Sequence, residues 1–174
     1  SVRTRPLSEG WTLCSTAPGA AADPAALDDL ACAWSPAVVP GTVALAVGPD
    51  DVDAHPDYDA SDWWYRCEFE AEAAGRALLR LDGLATLAEV WLNGERVLTT
   101  ENMFIEHAVD VSDLLEERNV ITIAFRSLGE ALAERRPRPR WKTNLVEQQP
   151  LRWVRTALLR RSPGGTPAIR PAGP

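Results

Sequence analysis

Residues 86–99 read Thr86-Leu87-Ala88-Glu89-Val90-Trp91-Leu92-Asn93-Gly94-Glu95-Arg96-Val97-Leu98-Thr99, and this stretch decides the fold. Ala88, Val90 and Leu92 alternate with Leu87, Glu89 and Trp91, the two-residue period of a half-buried strand. Asn93-Gly94 follows at once, the dipeptide that best tolerates the positive φ angles of a tight hairpin. Glu95 to Thr99 is therefore the return strand, antiparallel to the first.

The same period recurs on both sides. Upstream, Tyr65, Cys67 and Phe69 alternate with Trp64, Arg66, Glu68 and Glu70 across Trp63 to Glu70, which places the odd positions in the core. Ala77 to Asp82 reads as a further strand, and Asp82-Gly83 as the turn that leads to Thr86. Downstream, Phe104 to Val111 sets Ile105, His107, Val109 and Val111 on one face; Ser112-Asp113 opens a single helical turn. Val120 to Arg126 then puts Ile121, Ile123 and Phe125 opposite Thr122, Ala124 and Arg126. Alternating strands in sequence with short connections indicate an all-β, antiparallel sandwich rather than a βαβ fold. Its expected core is Tyr65, Cys67, Phe69, Val90, Leu92, Ile121, Ile123 and Phe125, and Phe125→Ala should cost roughly 3 to 5 kcal/mol.

The flanks are less regular. Asp23-Pro24 has the form of an N-cap followed by proline at the first helical position, predicting a short helix through Leu27, Leu30 and Ala31 that ends before Trp34. From Trp34 the chain reads as a Pro/Gly-punctuated loop through Val39-Pro40-Gly41-Thr42-Val43 to the acidic run ending at Asp62. After Ser127, Gly129 to Arg136 fits a helical turn, Arg135 to Arg140 is an Arg-Pro alternation, and Leu151 to Leu159 resumes a strand-like pattern. The 174 residues suit one domain spanning 1–174.

Lys and Arg total 18 against 25 Asp and Glu, a formal charge of -7, so the overall field favours neither nucleic acid nor an anionic membrane. Cys14, Cys32 and Cys67 form no zinc or CxxC spacing, which points to reduced thiols and a cytoplasmic setting. Asp50, Asp51 and Asp53 read as a solvated loop without a cation-ligand pattern; no metal and no cofactor are expected. His55 and His107 give little material for nucleophile-plus-histidine chemistry, and His107 sits among apolar alternates as a packed residue. Trp63, Trp64 and Trp91 are expected in the core or at its rim rather than on a sugar-stacking platform.

The ordered blocks resemble the sugar-binding, galactose-binding-like jelly-roll domain of family 2 glycoside hydrolases, in their β-mannosidase-like branch. They are Val39-Pro40-Gly41-Thr42-Val43, Asp62-Trp63-Trp64-Tyr65-Arg66-Cys67-Glu68-Phe69, Leu81-Asp82-Gly83-Leu84-Ala85-Thr86, Ala88 through Gly94, Asn102-Met103-Phe104 and Asn119-Val120-Ile121-Thr122-Ile123. The resemblance implies a jelly-roll sandwich with one or two short helices at the N-terminus of a longer enzyme. It also implies that the parent is a retaining exo-β-glycosidase, β-mannosidase- or β-galactosidase-like, with both catalytic glutamates on a barrel beyond Pro174. This chain would then support the barrel and one wall of its pocket, without a catalytic residue of its own. Retaining hydrolysis needs two carboxylates roughly 5 Å apart in different protonation states, and no motif in the chain pairs them.

The same resemblance locates a sugar-contacting loop. Arg155-Thr156-Ala157 matches the strand that leads into it, and Pro163-Gly164-Gly165-Thr166-Pro167 falls over the loop itself. Gly164 stands where the β-mannosidase-like relatives carry an aspartate, and it brings no carboxylate for sugar hydroxyls, so mannoside specificity does not carry over with the fold. Arg160, Arg161 and Ser162 remain as hydrogen-bond donors, and with Asn102 they form the candidate substrate-binding set. The alternative function is an independent carbohydrate-binding module, which requires two or three exposed aromatics in line. By the same resemblance one closing strand is missing, so Gly164 to Pro174 is expected to be loosely packed or to drive self-association through an open sheet edge.

Overall fold

The computed structural model describes residues 3–48, 57–71 and 75–133. Strand β1 (Trp11–Thr16) is followed by helix α1 (Pro24–Asp28), the two-residue β2 (Ser35–Pro36) and helix α2 (Val43–Val47). Then come β3 (Asp62–Glu70), β4 (Leu78–Leu81), β5 (Ala88–Leu92), β6 (Glu95–Thr100), β7 (His107–Asp110), β8 (Arg118–Phe125) and helix α3 (Leu128–Ala133). Every strand pairing is antiparallel: one sheet runs β2-β1-β3-β8-β5-β6, and β4 pairs with β7 in a second.

Register explains the core. Tyr65, Ile123 and Val90 lie side by side across β3, β8 and β5, and Cys67, Ile121 and Leu92 form the next rung but one. All six are buried, joined by Trp11, Leu13, Leu84, Ala88 and Val111, while Leu79, Leu81 and Val109 of the second sheet pack against them. This face-to-face closure is the antiparallel sandwich that the alternation predicts. Phe69 and Phe125 are only half-buried, at the margin of that core; Phe125 meets Tyr65 edge to face with centroids 5.6 Å apart.

The hairpin also forms as read. Asn93 has φ 51° and Gly94 φ 84°, the left-handed pair that such a turn needs. The Asn93 side chain does more than turn the chain: Nδ2 donates to Leu114 O at 2.7 Å and Asn119 Oδ1 at 2.9 Å, and Oδ1 accepts from Val120 N at 2.9 Å. It thereby ties the hairpin to the β7–β8 connection. Asp23 caps α1 by accepting from Ala26 N at 2.8 Å, with Pro24 next, although the helix ends at Asp28, short of Leu30 and Ala31.

Five expectations need correction. β1 was not apparent in the alternation, yet it pairs with β3 over six residues from Trp11↔Cys67 to Thr16↔Asp62. The supposed loop after Gly41 contains α2, capped by Thr42 Oγ1 accepting from Leu45 N at 3.1 Å. Asp82-Gly83 does not make a tight turn; a Cβ at Gly83 would lie 2.7 Å from Met103 O, so glycine is needed there for close backbone approach. β7 starts only at His107, opposite Leu81, leaving Phe104 and Ile105 exposed ahead of it. Finally, the even-numbered face of β3, which the alternation leaves outside the core, is covered too: Trp64 is completely buried, as expected of a core tryptophan.

That last difference has a clear cause. Residues of the early segment, Ala21 and Leu27 with Ala26, Leu30, Cys32 and Trp34 around them, fold over the outer face of the large sheet and cover Cys14, Trp64, Trp91 and Ala124. The rings of Trp64 and Trp91 stack with centroids 5.6 Å apart, inclined by 28°. Trp64 donates through Nε1 to Thr16 Oγ1 at 3.2 Å, satisfying its polar handle.

Candidate functional site

The turn between β6 and β7 carries the one predicted site residue within the described region. Thr100 Oγ1 accepts from Asn102 N at 3.3 Å, and Asn102 Oδ1 accepts from Phe104 N at 3.0 Å, so two successive side-chain turns fix the backbone. His107 Nε2 lies 3.1 Å from Thr100 Oγ1, and Arg80 pairs with Glu106 at 2.6 Å, holding the far side of the turn to β4 and β6. The result is a braced tip. Thr99, Thr100, Glu101, Asn102 and Ile105 line a shallow concavity of about 380 Å³, and Phe104 projects beside it with 70% of its surface exposed. Among the described residues, Asn102 Nδ2 has no hydrogen-bond partner.

Arg160, Arg161 and Ser162 lie outside the described residues, as do Gly164, the tail to Pro174 and the acidic run Asp50, Asp51 and Asp53. The structure therefore brings no second member of the candidate set to Asn102. Phe104 and Ile105 escaped the sequence reading because their alternation with His107 and Val109 looked like strand; the Asn102-to-Phe104 turn was the signal that breaks it.

Elsewhere, Arg5, Glu68, Phe69, Glu70, Arg118, Asn119 and Val120 surround an open concavity of about 520 Å³. Glu68 and Glu70 are both exposed, with Arg5 Nη1 donating to Glu70 O at 2.9 Å. A third polar group is buried and structural. Asp62, 1% exposed, accepts from Ser127 N at 2.7 Å, Gly19 N at 3.0 Å and Arg126 Nη1 at 3.1 Å. Arg126 also reaches Glu89 at 2.6 Å and the carbonyls of Ala21 and Ala22, with its guanidinium 4.9 Å above the Trp64 ring. This network clamps the early segment and α3 to the end of β3 and β8. Among the described residues, no group of three His, Cys, Asp or Glu side chains is placed to hold a metal ion.

Two antiparallel sheets closed over one core, with tryptophans turned inward and a braced polar tip at one end, define a galactose-binding-domain-like β-sandwich. The chain belongs to the glycosyl hydrolase 2 galactose-binding domain-like family, whose profile matches residues 11–174. It is similar to β-mannosidase B of Aspergillus flavus, 35% identical over 137 residues, covering 69% of this chain and 15% of the relative. It is also similar to β-mannosidase B of Thermothelomyces thermophilus, 40% identical over 86 residues, covering 45% of this chain and 10% of the relative. Among solved structures, the β-D-mannosidase of Dictyoglomus thermophilum superposes with a TM-score of 0.58 at 25% identity, covering 72% of this chain and 16% of that one. The chain thus spans only 10 to 16% of the length of these three proteins.

Proposed function

We propose that this domain is the accessory, non-catalytic sandwich of a retaining exo-β-glycosidase, β-mannosidase- or β-galactosidase-like, whose catalytic barrel lies on further polypeptide. The observation that carries this reading is the 35% identity over 137 residues to a β-mannosidase of which those residues make up only 15%. Retaining hydrolysis needs a paired acid and nucleophile, which in this reading the barrel carries. In this reading carbohydrate is the ligand of the assembled enzyme. Asn102, beside the exposed Phe104, and Arg160, Arg161 and Ser162 offer donors to one wall of its pocket.

The independent carbohydrate-binding module is less well supported. Such a module stacks sugars on a row of exposed aromatics, and Phe104 is the single exposed aromatic side chain among the described residues. The test is an assay of the 174-residue chain and of the complete gene product on a panel of aryl β-glycosides. The complete product should hydrolyse at least one β-glycoside and the shorter chain none. Turnover by the 174-residue chain well above background, or a gene that continues into no catalytic region, overturns the proposal.

A further inference from the structure

Two of the three cysteines meet on the outer face of the large sheet. Cys14, in β1 and 2% exposed, belongs to the cluster of Ala21, Leu27, Trp64, Trp91 and Ala124, and Cys32, after α1, packs against that same cluster. Cys32 stands near enough to raise the ionisation of the Cys14 thiol, and Cys32 itself remains half-exposed. A short turn presents it there: Leu30 N donates to Leu27 O at 3.0 Å and Cys32 N to Leu30 O at 2.6 Å. Cys67 sits on the other face of the sheet, within the main core, with its Sγ 3.3 Å from Glu9 O. Nothing in the accessory role described above uses this pair.

From this placement we propose that Cys14 and Cys32 form an oxidisable dithiol site, closing to a disulfide that staples the early segment to β1 under an oxidising glutathione pool. The division of roles follows exposure. Cys32, reachable from solvent, attacks one sulfur of oxidised glutathione as its thiolate, and a first glutathione leaves and takes up a proton. Cys14, having given its proton to solvent base, then attacks the Cys32 sulfur and displaces the second glutathione. Two thiols are oxidised to one disulfide, and one oxidised glutathione is reduced to two glutathione molecules. Burial and the adjacent Cys32 push the Cys14 thiol up to about 12, so it is a poor first nucleophile and acts as the resolving partner. The closed staple spans β1, the Ala21 region and α1, the segment whose docking buries Trp64.

The test uses the 174-residue chain equilibrated in glutathione buffers of rising oxidised fraction, then acid-quenched, denatured and alkylated, with intact and peptide mass spectrometry. Alkylated thiols should fall from three to one, with the remaining alkyl group on Cys67 and a peptide pair joining Cys14 to Cys32. The oxidised form should melt on the order of 5 to 10 °C higher than the reduced form. Cys67→Ser should keep both the linkage and the shift; Cys32→Ser should abolish both while the chain still folds. Three alkylated thiols throughout, a bridge to Cys67, or glutathione retained on Cys32 without closure each overturns the proposal.

Discussion

The two faces of the six-stranded sheet are buried by different means. The inner face is covered by strands: Tyr65, Cys67, Val90, Leu92, Ile121 and Ile123 meet apolar residues of β4 and β7. The outer face is covered at one end by α1 and irregular chain, which enclose Cys14, Trp64, Trp91 and Ala124. Strand periodicity reports the first kind of burial because neighbours in register share a face. It is silent about the second, which depends on a segment some 40 residues earlier in the sequence folding back. An alternating strand thus has one face that is certain to be buried and one whose fate is settled by distant chain.

The comparison can be broken most directly at Trp64. Trp64→Ala should cost about 3 to 5 kcal/mol in denaturant unfolding, as much as truncating a core residue of the inner face. A loss below about 1 kcal/mol would mean that the outer cover contributes little. Next comes the clamp: Asp62→Ala leaves the amides of Gly19 and Ser127 without their side-chain acceptor and removes one of the acceptors of Arg126, for an expected loss of about 2 to 4 kcal/mol. Amide exchange should rise in residues 17–22 with that substitution; uniform protection would show that the early segment is held without Asp62.

Phe125→Ala should cost about 2 kcal/mol, below the range expected for a wholly buried ring, because Phe125 is half-buried at the core margin. A loss above 4 kcal/mol would place it in the core proper. The last effect is alkaline. Burial raises the ionisation of Cys14, to about 12, and that of Cys67 and Tyr65 above their ordinary values. Above about pH 8.5 the unfolded chain begins to release thiol protons that the folded chain keeps, so stability is fully present below that pH. It falls as pH rises towards 12. Melting temperature should therefore decline across that window under reducing conditions, and Cys14→Ser should make the decline shallower; an unchanged slope would remove Cys14 from this account.

How much was legible in the sequence follows from the range of each interaction. The Asn93-Gly94 hairpin and the Asp23 cap are local chemistry, and both form as read. β1 was missed because Thr12, Ser15 and Thr16 dilute its apolar positions, and its identity is fixed by pairing with β3, far along the chain. α2 was hidden by Val39-Pro40-Gly41, although Thr42 three residues before Leu45 carried the cap signal. Asn102 entered the candidate set through the family resemblance alone; its turn and the exposure of Phe104 depend on local side-chain bonds and on where pairing with β4 begins. The remaining candidates, Arg160, Arg161 and Ser162, were proposed from family likeness and lie outside the described residues.

The stacked indoles of Trp64 and Trp91 also give the molecule an optical property. Rings 5.6 Å apart and inclined by 28° are close enough to couple their electronic transitions, which should split the far-ultraviolet circular dichroism band into a pair of opposite sign. One partner is on β3 and the other on β5, with β8 between the two strands and the early segment closing over both. The couplet therefore reports the assembled state of three strands and their outer cover in a single signal, without a dye or label. It should vanish in Trp91→Phe while the amide bands stay, leaving a spectroscopic marker for this end of the domain inside any longer polypeptide that contains it.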